Sequence, residues 1–334
     1  MNRLILSTTI TLAAATPFLM HSENSADSPN RFFFGPRFGM NIKANFQNNA
    51  SYFSPVNPGP ATGGANHTYN DGYVLLDSSG NLGGLTWNWG YQNSSQVVGD
   101  TMQFHAIQSS GSASATDDPQ YGGELVYQRV IGNLPILPSG RWGLEFGFGL
   151  TDLDLHSNRS GNVPVITDTY ALNGVFPPSA GYNGTFDGPG ALLGDTPTRA
   201  LGSAALTSNQ KLSGQIFSLR LGPFAEWNLT SELSLAASVG LTLAPAIIDY
   251  DFSETGVISG GGSYAAHGHT STTELLYGPY VGAVLRYDFN KSWGVYVGAQ
   301  FQSLNDMAQS VGTHTARLDQ SATVYGTVGL SWSF

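Results

Sequence analysis

The residues best suited to chemistry in this chain are a few acids and histidines. Asp152, Asp154 and His156 recur at every second position, as do Asp249 and Asp251. In an extended segment that spacing puts each set on one face. A carboxylate beside an imidazole can activate water as a general base. The same acids can instead be solvated, or bind divalent cations. His156 and Ser157 are adjacent, so in a strand they point to opposite faces, the wrong geometry for a base and its nucleophile. His267 and His269 flank Gly268 and would point the same way, as two metal ligands do. They follow a glycine run, Gly260 to Gly262, with no third ligand nearby in sequence, so solvated loop histidines are expected. The chain holds 0 Cys, so it has no Cys–His pair. No phosphate-binding glycine loop or nucleophile elbow stands in a strand–helix context. No catalytic residue, metal ligand or cofactor is expected, and the chain is read as a non-enzyme.

The elements that position these residues are strands. From Ala322 the chain alternates to its last residue. Val324, Gly326, Val328, Leu330, Trp332 and Phe334 share one face, while Thr323, Tyr325, Thr327, Ser331 and Ser333 share the other. The same test succeeds at 32–46, 124–131, 142–151, 217–227, 233–243, 274–288 and 293–302. Each run is about the 9–11 residues that cross a bilayer as a tilted strand. Three connections are short, at 132–141, 228–232 and 290–292. Four are long and polar: 47–120, 156–211, 253–271 and 305–315. Two shorter runs within the first of these, 85–92 and 101–108, would raise eight strands to ten; a hairpin in that loop is the preferred reading. Gly35-Pro36, Gly222-Pro223 and Gly278-Pro279 fall mid-strand, where proline suggests a bulge.

Composition agrees. Charged residues are 11% and aromatics 12%, with 42 Gly. A soluble enzyme would carry about twice that charge. The mean hydropathy is close to zero, too polar for a helical membrane protein. The net charge of −10 argues against nucleic acid as a partner. Met1 to Ser22 reads as a removable signal peptide, with Arg3 before an apolar run from Leu4 to Ala15. Residues 23–31 read as a lead-in, and the barrel occupies 32–334.

The whole pattern resembles the small OmpA-type barrels of the bacterial outer membrane. The resemblance rests on pattern and implies an all-β, transmembrane, antiparallel up-and-down barrel with long extracellular loops; it implies no activity. The aromatic end at Phe334 resembles the signal by which the barrel-assembly machinery recognises such chains. Lipid A deacylase barrels place a His and a Ser two residues apart, unlike His156-Ser157 here. Protease barrels place acids and a His at the outer rim.

Trp142, Trp227, Trp293, Trp332 and Phe334 sit beside the short turns or the terminus, as a membrane-interface girdle does. An eight-stranded barrel is just wide enough for its side chains to fill it. Inward charges must then pair. Arg37, Glu145, Glu226 and Arg286 are expected as a layer near the periplasm, with Lys43, Glu124, Arg220 and Glu274 above them. The reading is a plugged, monomeric barrel surrounded by outer-membrane lipid, serving envelope structure or loop-mediated contact with carbohydrate or protein. A narrow porin-like channel is the alternative, and a barrel hydrolase the remote one.

Overall fold

The computed structural model describes residues 29–49, 66–107, 110–134, 139–259 and 263–334. The expected signal peptide and most of the lead-in lie outside them. Eight antiparallel strands form a closed ring: β1 (Asn30–Met40), β2 (Gln120–Asn133), β3 (Gly140–Ala171), β4 (Thr198–Asn228), β5 (Leu233–Ile258), β6 (Ser263–Asp288), β7 (Trp293–Gln302) and β8 (Thr323–Ser333). Each strand pairs with the next in sequence, and β8 pairs with β1. Leu85–Thr86, Trp89–Tyr91 and Thr101–Ile107 are strands outside this ring.

Alternation fixes which residues face lipid. Phe146, Leu241 and Leu330 stand 48%, 67% and 40% exposed on the outer face. A continuous apolar belt of this kind is unfavourable against water, by about 25 cal/mol per Å². It suits hydrocarbon. A closed barrel also leaves no unpaired edge in the membrane. This is the build of a bacterial outer-membrane barrel, and the protein is one. The short turns at 229–232 and 289–292 lie at the end that also holds the start of β1 and the end of β8. That end faces the periplasm by the rule that short turns do.

The strands do not stop at the membrane. β3 and β4 run for 32 and 31 residues, β5 and β6 for 26 each. About 10 residues cross the bilayer, so the rest form a wall outside. The β3–β4 register is unbroken from Gly140 opposite Trp227 to Thr169 opposite Thr198. Much of 156–211 and 253–271, expected as loop, is therefore wall. On the other half of the ring β1, β2, β7 and β8 end. After a short break the chain resumes as Lys43–Asn49, Ser110–Ala115, Met307–Val311 and His314–Asp319, which make a four-stranded sheet. This sheet packs against β3 and β6 at its edges and completes an upper storey. Ile42, Phe46, Leu155, Ile248, Met307 and Leu318 are buried in the apolar core of that storey.

The break in β1 occurs at Asn41, whose φ is 61°. Asp118 accepts its N–H at 2.9 Å, and its Nδ2 donates to the Ala322 carbonyl at 2.7 Å. The left-handed residue reverses the alternation. Met40 faces out, yet Ile42, Ala44 and Phe46 face in. The run 32–46, expected as one strand, is two, and Lys43 moves to the outer face opposite Asp319. The Gly-Pro pairs also depart from expectation. The register passes Gly35-Pro36, Gly222-Pro223 and Gly278-Pro279 without a shift. A Cβ at Gly222 would lie 2.0 Å from the Val239 carbonyl oxygen. The glycine admits the neighbouring backbone, and no bulge forms.

Above the wall lies an apical cap. Thr101–Ile107 pairs with Val165–Ala171 at the tip of β3. His67–Tyr69, Gly72–Val74 and Trp89–Tyr91 add a small sheet. Trp89, Met102, Phe104, Tyr170 and Leu193 form its core. Several aromatics of the stretches expected as loop, Tyr69, Trp89, Tyr91 and Tyr170, are thus buried, while Phe176 and Phe186 are exposed.

Candidate functional site

Inward-facing side chains fill the membrane storey in layers. At the periplasmic floor Glu226 takes Arg31 at 2.5 Å, Arg141 at 3.0 Å and Arg286 at 3.3 Å. Arg286 also reaches Asp288 at 3.0 Å. The next layer centres on Arg220, 3.0 Å from Glu124 and 3.4 Å from Glu145. Gln128 donates to Glu145 at 2.7 Å, and the Tyr280 and Tyr296 hydroxyls donate to Glu145 and Glu124 at 3.3 and 3.2 Å. A cavity of about 20 Å³ lies among these groups, room for roughly one water. Above them Arg37 lies 3.4 Å over the Tyr325 ring and donates to Ser218 at 2.7 Å. The apolar core of the upper storey follows.

The expected single layer of Arg37, Glu145, Glu226 and Arg286 is therefore not one layer. Glu226 and Arg286 meet at the floor, Glu145 joins Arg220 and Glu124, and Arg37 stands with Tyr325. Barrel strands tilt and are staggered around the ring, so equal counts from the periplasmic end do not mean equal heights. Glu274 is half-buried on the inner face of β6 and makes no ion pair with a described side chain. Arg31 and Arg141 were missed because they stand at the ends of their strands, one beside the lead-in and one beside a turn. Parity carried the signal: Arg31 shares a face with Arg37, and Arg141 with Glu145.

On the outside, Trp293 pairs with Trp332 and Phe32 pairs with both Tyr127 and Trp332. Trp332 stacks on Phe334 at 4.7 Å. Trp142 lies outward near the same end, and Trp227, half-buried, lies opposite Gly140.

The acids and histidines come together, but on the outer wall. His156, Lys211, Asp251 and His269 lie side by side across β3 to β6. Lys211 reaches Asp154 at 2.8 Å, His156 reaches it at 3.3 Å, and His269 Nδ1 is 2.8 Å from Asp251. Burial alone would raise Asp154, but Lys211 and His156 outweigh it and hold the carboxyl below its usual range. Asp152 and Asp249 line the same face nearer the membrane, and His267 lies one step beyond His269. Among the described residues no group of three or more acids and histidines could hold a metal.

Two polar clusters had no sequence signal. In the upper storey buried His314 lies 3.1 Å from buried Glu254 and stacks on Phe252 at 3.8 Å. Tyr264 and Asn48 also donate to Glu254, at 3.0 and 3.3 Å. Burial would raise this carboxyl, but His314, Tyr264 and Ser208 together hold it below the usual range. At the cap, fully buried Asp168 accepts two bonds from Arg199, at 2.7 and 2.6 Å, and one from Tyr69 at 2.8 Å. Burial, with Tyr170 and Asp168 beside it, pushes the Tyr69 hydroxyl far above its ordinary value. The first cluster ties the four-stranded sheet to the wall, and the second ties the cap to it.

No family model matches the sequence, and no curated protein matches it. Solved structures do resemble it distantly. Ail, the attachment invasion locus protein of Yersinia pestis, seen in complex with the heparin analogue sucrose octasulfate, is 10% identical over 91% of this chain and 99% of its own, with a TM-score of 0.27. The outer membrane protein OprG of Pseudomonas aeruginosa is 8% identical over 93% and 99%, with a TM-score of 0.30. The outer membrane protease OmpT of Escherichia coli is 10% identical over 94% and 99%, with a TM-score of 0.31. Likenesses at this level carry nothing about activity.

Proposed function

We propose that the barrel is closed to solutes, performs no catalysis, and works through its outer end, holding a rigid cap away from the membrane for contact with other surfaces. The observation that carries this reading is the filling of the lumen. Two layers of paired charge are followed by an apolar core, and the cavity among the charges is about 20 Å³. A narrow channel would need these ion pairs to part, and buried pairs are costly to break. The acid and histidine row supports a non-catalytic role. It lies exposed on the outer wall, and its members are paired with one another. Lipid covers the apolar belt, and Phe32, Trp293, Trp332 and Phe334 anchor its periplasmic edge. Phe334 is the residue that the barrel-assembly machinery would read.

The test joins two measurements. The reconstituted chain should give no steady conductance in planar bilayers. A chain lacking 66–107 should still migrate heat-modifiably on a denaturing gel, yet lose attachment when displayed on bacteria and exposed to host-cell or matrix surfaces. Steady conductance with unchanged attachment would replace this reading with the channel.

A further inference from the structure

We propose that the cap is a docking surface for a cationic protein segment, one that carries lysine or arginine among apolar side chains. The inference rests on the contact role proposed above and names its partner.

Charge is distributed unevenly along the chain. The cap segments 66–107 and 172–197 contain Asp71, Asp77, Asp100, Asp187 and Asp195 and no Lys or Arg, although the chain has 13 of these cations. The bordering cation, Arg199, is committed to Asp168 through two hydrogen bonds. Asp71, Asp77 and Asp195 are buried, Asp71 against His105 at 2.6 Å and Asp77 within its own turn. Asp100 and Asp187 remain exposed. Each has an exposed phenylalanine close by. Asp100 accepts the Gly174 N–H at 2.9 Å, two residues before Phe176, which is 94% exposed. Asp187 directly follows Phe186, which is 57% exposed.

These phenylalanines stand on fixed backbone. The segment between them is held to the small sheet: Gly181 N–H donates to the Tyr91 carbonyl at 3.0 Å, Tyr91 to Tyr182 at 3.1 Å, and Gly184 to Trp89 at 2.8 Å. The Phe186 carbonyl accepts from Ser78 N–H at 2.7 Å. The cap already has its own core, so these rings do not serve its folding. A ring presented on ordered backbone loses little freedom on binding. An aromatic face beside a carboxylate matches a guanidinium or ammonium, which gains from both. A second copy of the cap would instead bring like charges together.

The test uses the full chain in phosphatidylcholine nanodiscs, with empty nanodiscs as reference. The probe is a fluorescent peptide of alternating lysine and leucine. Saturable binding is expected. Phe176→Ser with Phe186→Ser should weaken it about tenfold or more. Asp100→Asn with Asp187→Asn should weaken it about threefold, and added salt should weaken it further. Heat-modifiable migration confirms that both variants are folded. The inference is overturned if neither pair of substitutions changes binding. It is also overturned if the glutamate–leucine counterpart or a heparin oligosaccharide binds as well, or if the nanodiscs pair through their caps. Loss of attachment on removing 66–107 without peptide binding would sink this inference and leave the contact role standing. Variant-sensitive peptide binding with unchanged attachment would do the reverse.

Discussion

Glu226 is where a single residue carries most in this protein. Three arginines converge on it at the floor of the barrel. Glu226→Ala leaves them facing one another with Asp288 as the remaining carboxylate. The expected loss is about 3–5 kcal/mol, read as a lower urea midpoint for unfolding in lipid vesicles. Glu254 sets a pH dependence. Its carboxyl is held below its ordinary value, so the stability it contributes is full above about pH 4.5 and is lost as the pH falls below that. Amide exchange of 314–319 should therefore quicken in acid relative to the β3 wall, after correction for intrinsic rates. Glu254→Gln should abolish that pH dependence. Equal acid response in the variant would contradict the assignment.

Among the elements, the split between unbroken and interrupted strands decides the shape. β3 to β6 run from the membrane into the upper storey, whereas β1, β2, β7 and β8 stop at one height and restart. Asn41 marks the stop on β1. A β-branched residue there is disfavoured at φ 61°, by about 1–2 kcal/mol. Asn41→Val should lower the unfolding midpoint accordingly, and Asn41→Gly should lower it less. Unchanged stability in Asn41→Val would show that the reversal does not depend on that residue. The membrane half of this was legible in the sequence, because lipid outside and side chains inside impose strict alternation, as in Trp142 to Leu150. The upper storey was not. Ser, Thr, Asn and Gly are common along it, so the stretch 156–211 reads as loop although most of it is paired. Lys43 was misplaced because one left-handed residue inverts every parity after it. Arg31 and Arg141 were overlooked because a strand's ends are its least certain part.

For the molecule as a whole, the filled lumen and the lifted cap predict a division of labour. Deleting 66–107 should leave the barrel folded, since the ring closes through β1 to β8 without that segment. The check is heat-modifiable migration, and a deletion that fails to fold would show that the cap supports the wall. Glu145→Ala with Glu124→Ala should loosen the middle charge layer, and transient current in planar bilayers would reveal it. The continuous β3–β4 ladder has a mechanical consequence. The cap is fastened to the tip of β3, and the same strand descends without interruption to the periplasmic turn. A pull on the cap is therefore directed along the strands. It loads the β3–β4 ladder, paired from Gly140–Trp227 to Thr169–Thr198, in shear. The rungs share that load, where a peeling pull would open them one after another. The long wall is a tether that carries tension straight into the membrane.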